Sequence, residues 1–311
     1  MSPAACRPGL VSRAALLAWG GLALASLFWA GNSLVARAFS GAIPPFSLAF
    51  WRWAAALMIL LPLVGPSLWQ HRHTLRRAGW RLWLAALLAV TLYNALLYTA
   101  ALSTAAINLS LVGTCLPLAT FIGAGLLLGE WPARRAWGGL LLALVGLLWL
   151  IGQGDWQVLA GLSFAQGDLL MVLATLDWAL YSLLVRRWSA HFQLPPLTLL
   201  GALVLLGLVM LVPLYAWDLW HGRYFEASLP NLAAIGYTAL FASVLAYHLW
   251  NIGLRELGAA QTALSNYLMP VFTAALAWLL LGEGLQNYHW IGGALILGGL
   301  LLAGRVQAVR T

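Results

Sequence analysis

The sequence predicts an all-α integral membrane protein: ten transmembrane helices built as two inverted five-helix repeats. Three observations predict it. Hydrophobic residues make up 63% of the 311, against roughly 45–50% in soluble domains. Charged residues reach only 8% where about 25% is usual, so a soluble fold of this length could not cover its surface. The third observation is an internal duplication, set out below. The net charge of +8 comes entirely from Arg, with no Lys in the chain. These arginines fall between apolar runs, which makes them a topology signal and speaks against a nucleic-acid partner.

A helix crosses the hydrocarbon core with about 20 apolar residues, because every backbone amide there must be bonded internally. Read against Pro, Gly and charge punctuation, the spans run near 14–37, 45–65, 79–102, 105–128, 133–152, 166–187, 196–217, 230–252, 259–281 and 288–307. The run from Ala14 to Phe39 follows Arg7 and Arg13 as a signal peptide would. It exceeds a signal h-region of about 7–15 residues and reads as a retained first span. Short connections leave no room for an extramembrane domain.

Arg is enriched in loops that stay in the cytoplasm. With the N-terminus inside, that side receives Arg7, Arg13, Arg72, Arg76, Arg77, Arg81, Arg134, Arg135, Arg186, Arg187, Arg255, Arg305 and Arg310, and the other side only Arg37 and Arg223. Both termini are therefore expected in the cytoplasm. Cys6 and Cys115 suggest neither a disulfide framework nor a metal cluster, and no cofactor is expected.

The duplication carries the mechanism. Pro117 matches Pro270, LLLGE ending at Glu130 matches LLLGE ending at Glu283, and Trp137, Gly139 and Gly146 match Trp290, Gly292 and Gly299, all 153 residues apart. Trp29, Ser33, Leu34, Arg37 and Ser40 match Trp178, Ser182, Leu183, Arg186 and Ser189 at an offset of 149. Pro44-Pro45 matches Pro195-Pro196 at 151, and Tyr93-Asn94 faces Tyr247-His248 at 154. Loop insertions produce such a drift, and the division falls into 1–152 and 153–311. Five helices per copy is an odd number, so the second copy enters the membrane from the opposite face. Inverted repeats of this kind support alternating access around a cavity near the midplane.

The segments FWAGN (Phe28 to Asn32) and PPFSLAFWRW (Pro44 to Trp53), with the two LLLGE helix ends, resemble the EamA-type ten-helix transporters of the drug/metabolite transporter superfamily. The likeness extends over nearly the whole chain. It implies a bacterial inner-membrane carrier with both termini inside, often an exporter of amino acids or related metabolites, and its motifs say little about cargo. The layout is similar to that of aromatic amino-acid exporters.

An ionisable group at a helix centre costs roughly 2.5–3.5 kcal/mol on insertion scales and needs a partner or a water-filled cavity. Arg52, Asp177 and His248 lie inside spans. Asp177 is roughly 16 Å into its span at 1.5 Å per residue, and its repeat mate is Phe28. It is the candidate for proton coupling or for binding a substrate amine. The alternative is a structural bond, for instance to Arg52. Arg52 itself is read as a packing or anchoring residue, with carboxylate binding as the other possibility. His248 can titrate near neutral pH or simply bond a neighbouring helix.

Helical spacing groups the remaining candidates. Asp177 and Tyr181 share a face with Trp178 on its flank, and Tyr181 is the mate of Asn32. Ser110 and Thr114 precede Pro117, and Ser265 and Asn266 precede Pro270. Both prolines are expected to kink their helices and free a carbonyl one turn earlier. With Tyr93, Asn94 and Tyr247, these residues form the expected substrate site, although interhelical hydrogen bonds at about 0.6 kcal/mol each explain single polar residues as well. Glu130 and Glu283 are assigned to helix ends, and Trp69, Trp80, Trp131, Trp188 and Trp220 to interface anchoring. The Gly125 and Gly129 pair permits close helix approach but does not by itself indicate a homodimer.

The expected function is secondary transport of a small uncharged or zwitterionic metabolite, most plausibly an amino acid. No phosphate-cradling loop is present to bind ATP. Carriers of sugar phosphates, nucleotide sugars or drugs are alternatives, although anionic cargo would want more intramembrane cations than Arg52. A lipid-processing enzyme is the remote alternative. It would need clustered acids or a His/Asp set, whereas Asp155, Asp168, Asp177, Asp218, Glu226 and Glu256 are scattered singly.

Overall fold

The apolar runs become helices in the computed structural model, which describes residues 13–39, 41–104, 112–113, 115–161, 166–281 and 286–303. Helix α1 spans Arg13–Phe39. Helix α2, Pro45–Gln70, opens on a proline whose fixed φ suits the first helical position. It continues through Pro62 and Pro66, past the expected end at 65. A short helix α3, Arg72–Ala78, follows, and Gly79 at φ 51° turns the chain into the next span.

Helix α4, Trp80–Ala100, contains a π-helical segment at Leu87–Leu92. Helix α5 covers Leu116–Leu128, and Gly129 at φ 70° closes it. Then come α6 (Arg134–Ile151), the short α7 (Trp156–Ala160), α8 (Gln166–Arg187) and α9 (Pro196–Trp220). Helix α10, Leu229–Glu256, carries a second π-helical segment at Thr238–Leu245. Helix α11 (Ala259–Leu264) passes through a 3₁₀ turn at Ser265–Tyr267 into α12 (Leu268–Leu281), and α13 is Asn287–Ala303.

Among the described residues, seven helices, α1, α2, α4, α6, α8, α9 and α10, are long and apolar enough to cross a membrane. Helices α5 and α13 are apolar but shorter, and the 3₁₀ turn interrupts the run α11–α12.

Pro117 lies in the first turn of the described part of α5, and residues 105–111 and 114 before it lie outside the described residues. A 3₁₀ turn at Ser265–Tyr267 precedes Pro270. Pro62 in α2 and Pro213 in α9, which match at the offset of 151, also lie within helices.

The most extensive helix pair is α6 against α13, and glycine makes it possible. A methyl group at Gly139 would lie 2.6 Å from the Ala303 amide nitrogen, and one at Gly299 would lie 2.6 Å from that of Ala143. At Gly146 it would meet the Gly292 carbonyl at 2.8 Å, and at Gly292 the Gly146 carbonyl at the same distance. Gly139 thus opposes Gly299 while Gly146 opposes Gly292, so the two helices run antiparallel.

Helices α2 and α9 pair in the same sense. The backbone N–H of Ser47 and its hydroxyl both donate to Asp218 Oδ2, at 2.9 and 3.2 Å. At the other end Ser67 Oγ lies 2.8 Å from Thr198 Oγ1. Helix α1 packs on α10 and α12, and α8 packs on α4 and α5, so each of these two helices lies against the other half of the chain.

Candidate functional site

Where α1, α2, α4, α8 and α10 meet, the core is aromatic. Trp178 stands 5.9 Å from Trp29, 4.9 Å from Tyr93 and 5.0 Å from Tyr247, between ring centroids. Trp29 stands 6.0 Å from Tyr247 and 5.3 Å from Trp250, and Trp53 lies 4.9 Å from Tyr247. Trp53, Tyr181 and Trp250 are fully buried. The rings prefer tilted and edge-on contacts, as their quadrupoles dictate. Two grooves open at the surface lie elsewhere: about 370 Å³ beside Gly21 and Leu249, and about 610 Å³ beside Glu130 and Arg186.

The two π-helical segments border this cluster and supply carbonyls that regular helix would have used, as π-bulges at functional sites often do. Tyr247 Oη donates to the Ala89 carbonyl at 3.0 Å. The Ala242 carbonyl accepts from Trp29 Nε1 and from Arg52 Nη2, each at 3.0 Å. Arg52 also donates to Ser243 Oγ at 2.5 Å, Asn94 Oδ1 at 3.2 Å and Tyr98 Oη at 2.9 Å. It is buried, and no carboxylate forms an ion pair with it among the described residues. Four hydrogen bonds from one rigid fork tie α2 to α4 and α10, the anchoring role read from the sequence. Asn94 completes the node by donating to the Val90 carbonyl at 2.8 Å.

Asp177 does not pair with Arg52. It is buried, and among the described residues neither of its carboxylate oxygens has a hydrogen-bond partner. Unmatched buried polar atoms call for an explanation, such as a water, an ion or a ligand. Others here are Asn32 Oδ1, His248 Nδ1, Asn251 Nδ2 and Asn266 Oδ1.

Trp178, Tyr181, Tyr247 and Tyr93 lie together at this meeting of helices, with Asn94 on Arg52 beside them. Tyr181 Oη donates to Asn251 Oδ1 at 2.8 Å. Asn32 and Asn266 are present with unmatched oxygens, on α1 and at the 3₁₀ turn before α12. Ser265 is engaged locally, its hydroxyl on the Thr262 carbonyl at 2.8 Å, while its own carbonyl lies 2.9 Å from Ser26 Oγ. His248 makes no hydrogen bond among the described residues. Ser110, Thr114 and Glu283 lie outside those residues.

The residues that sequence reasoning missed are Trp29, Trp53, Trp250 and Ser243. For Trp29 a signal existed, since it is the repeat mate of Trp178. Ser243 is exposed to Arg52 by a π-helical turn that no local pattern announces.

Several further assignments change. Trp188 is buried against Trp80 at 5.3 Å and does not anchor the interface. Gly125 makes room for the Trp131 ring, 2.5 Å from where a methyl group would stand, and not for a second helix. Glu130 pairs with Arg186 at 3.4 Å on an exposed surface. Within the FWAGN segment, Gly31 admits the Tyr237 hydroxyl, where a side chain would collide, and that hydroxyl donates to the Phe28 carbonyl at 3.1 Å.

Long apolar helices enclosing buried, hydrogen-bonded polar groups define a multi-pass integral membrane protein. The chain belongs to the EamA-like transporter family, whose profile matches it twice, at residues 16–152 and 165–305. It is 29% identical over 288 residues to the uncharacterized transporter YyaM of Bacillus subtilis, covering 90% of this chain and 91% of that one. It is 27% identical over 175 residues to the aromatic amino acid exporter YddG of Salmonella typhimurium, covering 53% and 55%. A solved crystal structure shares the fold with a TM-score of 0.74 at 22% identity, covering 93% of this chain and 96% of that one.

Proposed function

We infer that this protein is an inner-membrane secondary transporter, both termini cytoplasmic, that exports a small zwitterionic metabolite of the amino-acid class by alternating access between two inverted five-helix halves. The observation that carries the reading is the pattern of contacts between repeat mates. Gly139 and Gly146 correspond to Gly292 and Gly299, yet Gly139 opposes Gly299 and Gly146 opposes Gly292. Ser47 and Ser67 correspond to Thr198 and Asp218, yet Ser47 binds Asp218 and Ser67 meets Thr198. Each contact is exchanged with its counterpart by a two-fold rotation, the relation an isologous interface has between subunits. An in-plane axis of this kind lets one packing open to either face. Trp29 and Trp178 are mates in mutual contact, as residues beside such an axis would be.

The rings of the aromatic core pack edge-on and tilted against one another, so passage of a cargo between them requires them to part. Asp177, unpartnered among them, suits a substrate ammonium or an exchanged proton, and the rings suit an aromatic or large apolar side chain. The likeness to YddG supports the same class. Arg52 has little capacity left for an anionic cargo, which weighs against sugar phosphates and nucleotide sugars.

Counterflow in proteoliposomes containing only this protein tests the reading. Labelled aromatic and large apolar amino acids should exchange, while sugar phosphates should not; the reverse result would overturn it. Asp177→Asn should keep counterflow but lose its response to an imposed pH gradient. An unchanged response would remove Asp177 from proton coupling.

A further inference from the structure

The turn between α2 and α4 carries a cationic surface that the transport site does not use. Arg72, His73, Arg76 and Arg77 are exposed, while Ala78 is buried and Leu75 packs on the core. Spacing of one, four and five residues places the exposed group on one face of α3. Trp69 and Trp80, 71% and 61% exposed, flank it as interfacial residues do. Two arginines lie over those rings, Arg72 at 5.0 Å from Trp69 and Arg81 at 5.2 Å from Trp80. The segment joins two helices long enough to span, so it lies at the membrane surface whichever face it occupies.

No protein group neutralises this surface among the described residues. The first acid in the chain is Glu130, and it is already paired with Arg186. The remaining ion pairs are Arg223 with Asp218 and Arg255 with Glu256. Arg76 and Arg77 make no hydrogen bond there, and Arg81 Nε is a buried donor without an acceptor. A polybasic, tryptophan-flanked segment beside a spanning helix is attracted to anionic headgroups.

We propose that the segment from Trp69 to Arg81 binds the phosphodiester headgroup of an anionic phospholipid. The occupant is lipid because the exposed indoles flanking the arginines match the boundary of headgroup and acyl chain. Each arginine near the surface contributes about fivefold in affinity, so two contribute about twenty-fivefold.

The test uses the full-length protein in detergent micelles doped with phosphatidylglycerol or phosphatidylcholine, with retained lipids counted by native mass spectrometry. Phosphatidylglycerol should be retained in preference. The double variant Arg76→Gln/Arg77→Gln, whose side chains are exposed and unbonded, should weaken retention about twenty-fivefold, and Arg76→Lys/Arg77→Lys should restore most of it. Equal retention of phosphatidylcholine, or undiminished retention by the Gln pair, would overturn the proposal. So would displacement of the lipid by millimolar glycerol 3-phosphate, which would mark a soluble-phosphate site. The lipid comparison and the displacement arm are read on the unsubstituted protein and decide the matter even if a variant fails to fold.

Discussion

Neighbouring glycines on α6 and α13 should respond in opposite ways to the same substitution. Gly139→Ala puts a methyl group 2.6 Å from the Ala303 nitrogen and 2.7 Å from its Cβ, where ordinary contacts need about 3.4 Å or more. Most of the obstruction is backbone, so the helices must separate by roughly 1 Å. A gap of that size forfeits about a quarter to a half of each contact along the pair, and overpacking of this kind costs about 1–3 kcal/mol. Against this, Ala gains about 1 kcal/mol over Gly in helix propensity. Gly138→Ala earns the same propensity with its nearest neighbour, Leu302, at 3.8 Å, and Gly293→Ala meets nothing within 4 Å. In thermal unfolding in detergent followed by size-exclusion, Gly139→Ala and Gly299→Ala should therefore melt below wild type, and Gly138→Ala and Gly293→Ala at or above it. The double variant Gly139→Ala/Gly299→Ala should lose less than the sum, because both methyl groups press on one contact. Equal melting of Gly138→Ala and Gly139→Ala would refute the close packing and the antiparallel register drawn from it.

Arg52→Met should cost about 1–3 kcal/mol by leaving buried neutral acceptors such as Asn94 Oδ1 without their donor. Arg52→Lys should rescue little, since one ammonium cannot reach Asn94, Tyr98, Ser243 and the Ala242 carbonyl together; denaturation in detergent measures both. Tyr181→Phe should cost about 1–2 kcal/mol in the same assay by unpairing Asn251 Oδ1. Asp218→Ala removes the acceptor of the Ser47 amide, so hydrogen exchange at residues 47–48 should quicken while α6 stays protected.

Much of the helix layout was legible because apolar length and repeat spacing are local signals. Composition located the long helices, and Trp29 with Trp178, or Tyr93 with Tyr247, could be paired before any contact was seen. The π-helical segments were not legible: Leu87–Leu92 and Thr238–Leu245 have no composition that sets them apart, and their carbonyls take tertiary partners such as Tyr247 on Ala89. The same blindness hid the satisfaction of Arg52. Its four acceptors come from two other helices, one of them a carbonyl, and no side-chain pattern records a carbonyl. Asp218 was read as one scattered acid. Its role depends on α9 ending beside the first turn of α2, a long-range fact. Trp188 looked like an interface anchor by position, yet it is buried in the core beside Phe192.

The duplication also separates packing from chemistry. Where the copies agree, at Gly139 and Gly292, Gly146 and Gly299, Pro62 and Pro213, Trp29 and Trp178, the side chains set helix approach or fill the centre. At two positions where they disagree, one copy holds a buried ionisable group and the other an apolar residue: Asp177 against Phe28, Arg52 against Leu203. Phe28 packs on Phe241 at 5.3 Å, an apolar contact in the place its mate gives to a carboxyl group. Burying one ionisable group in hydrocarbon is already costly, and a second copy would double that cost and, once the bundle closed, set like charges against each other. The scaffold positions are shared by both copies, while Asp177, buried and with both carboxylate oxygens unmatched among the described residues, occurs in one copy only.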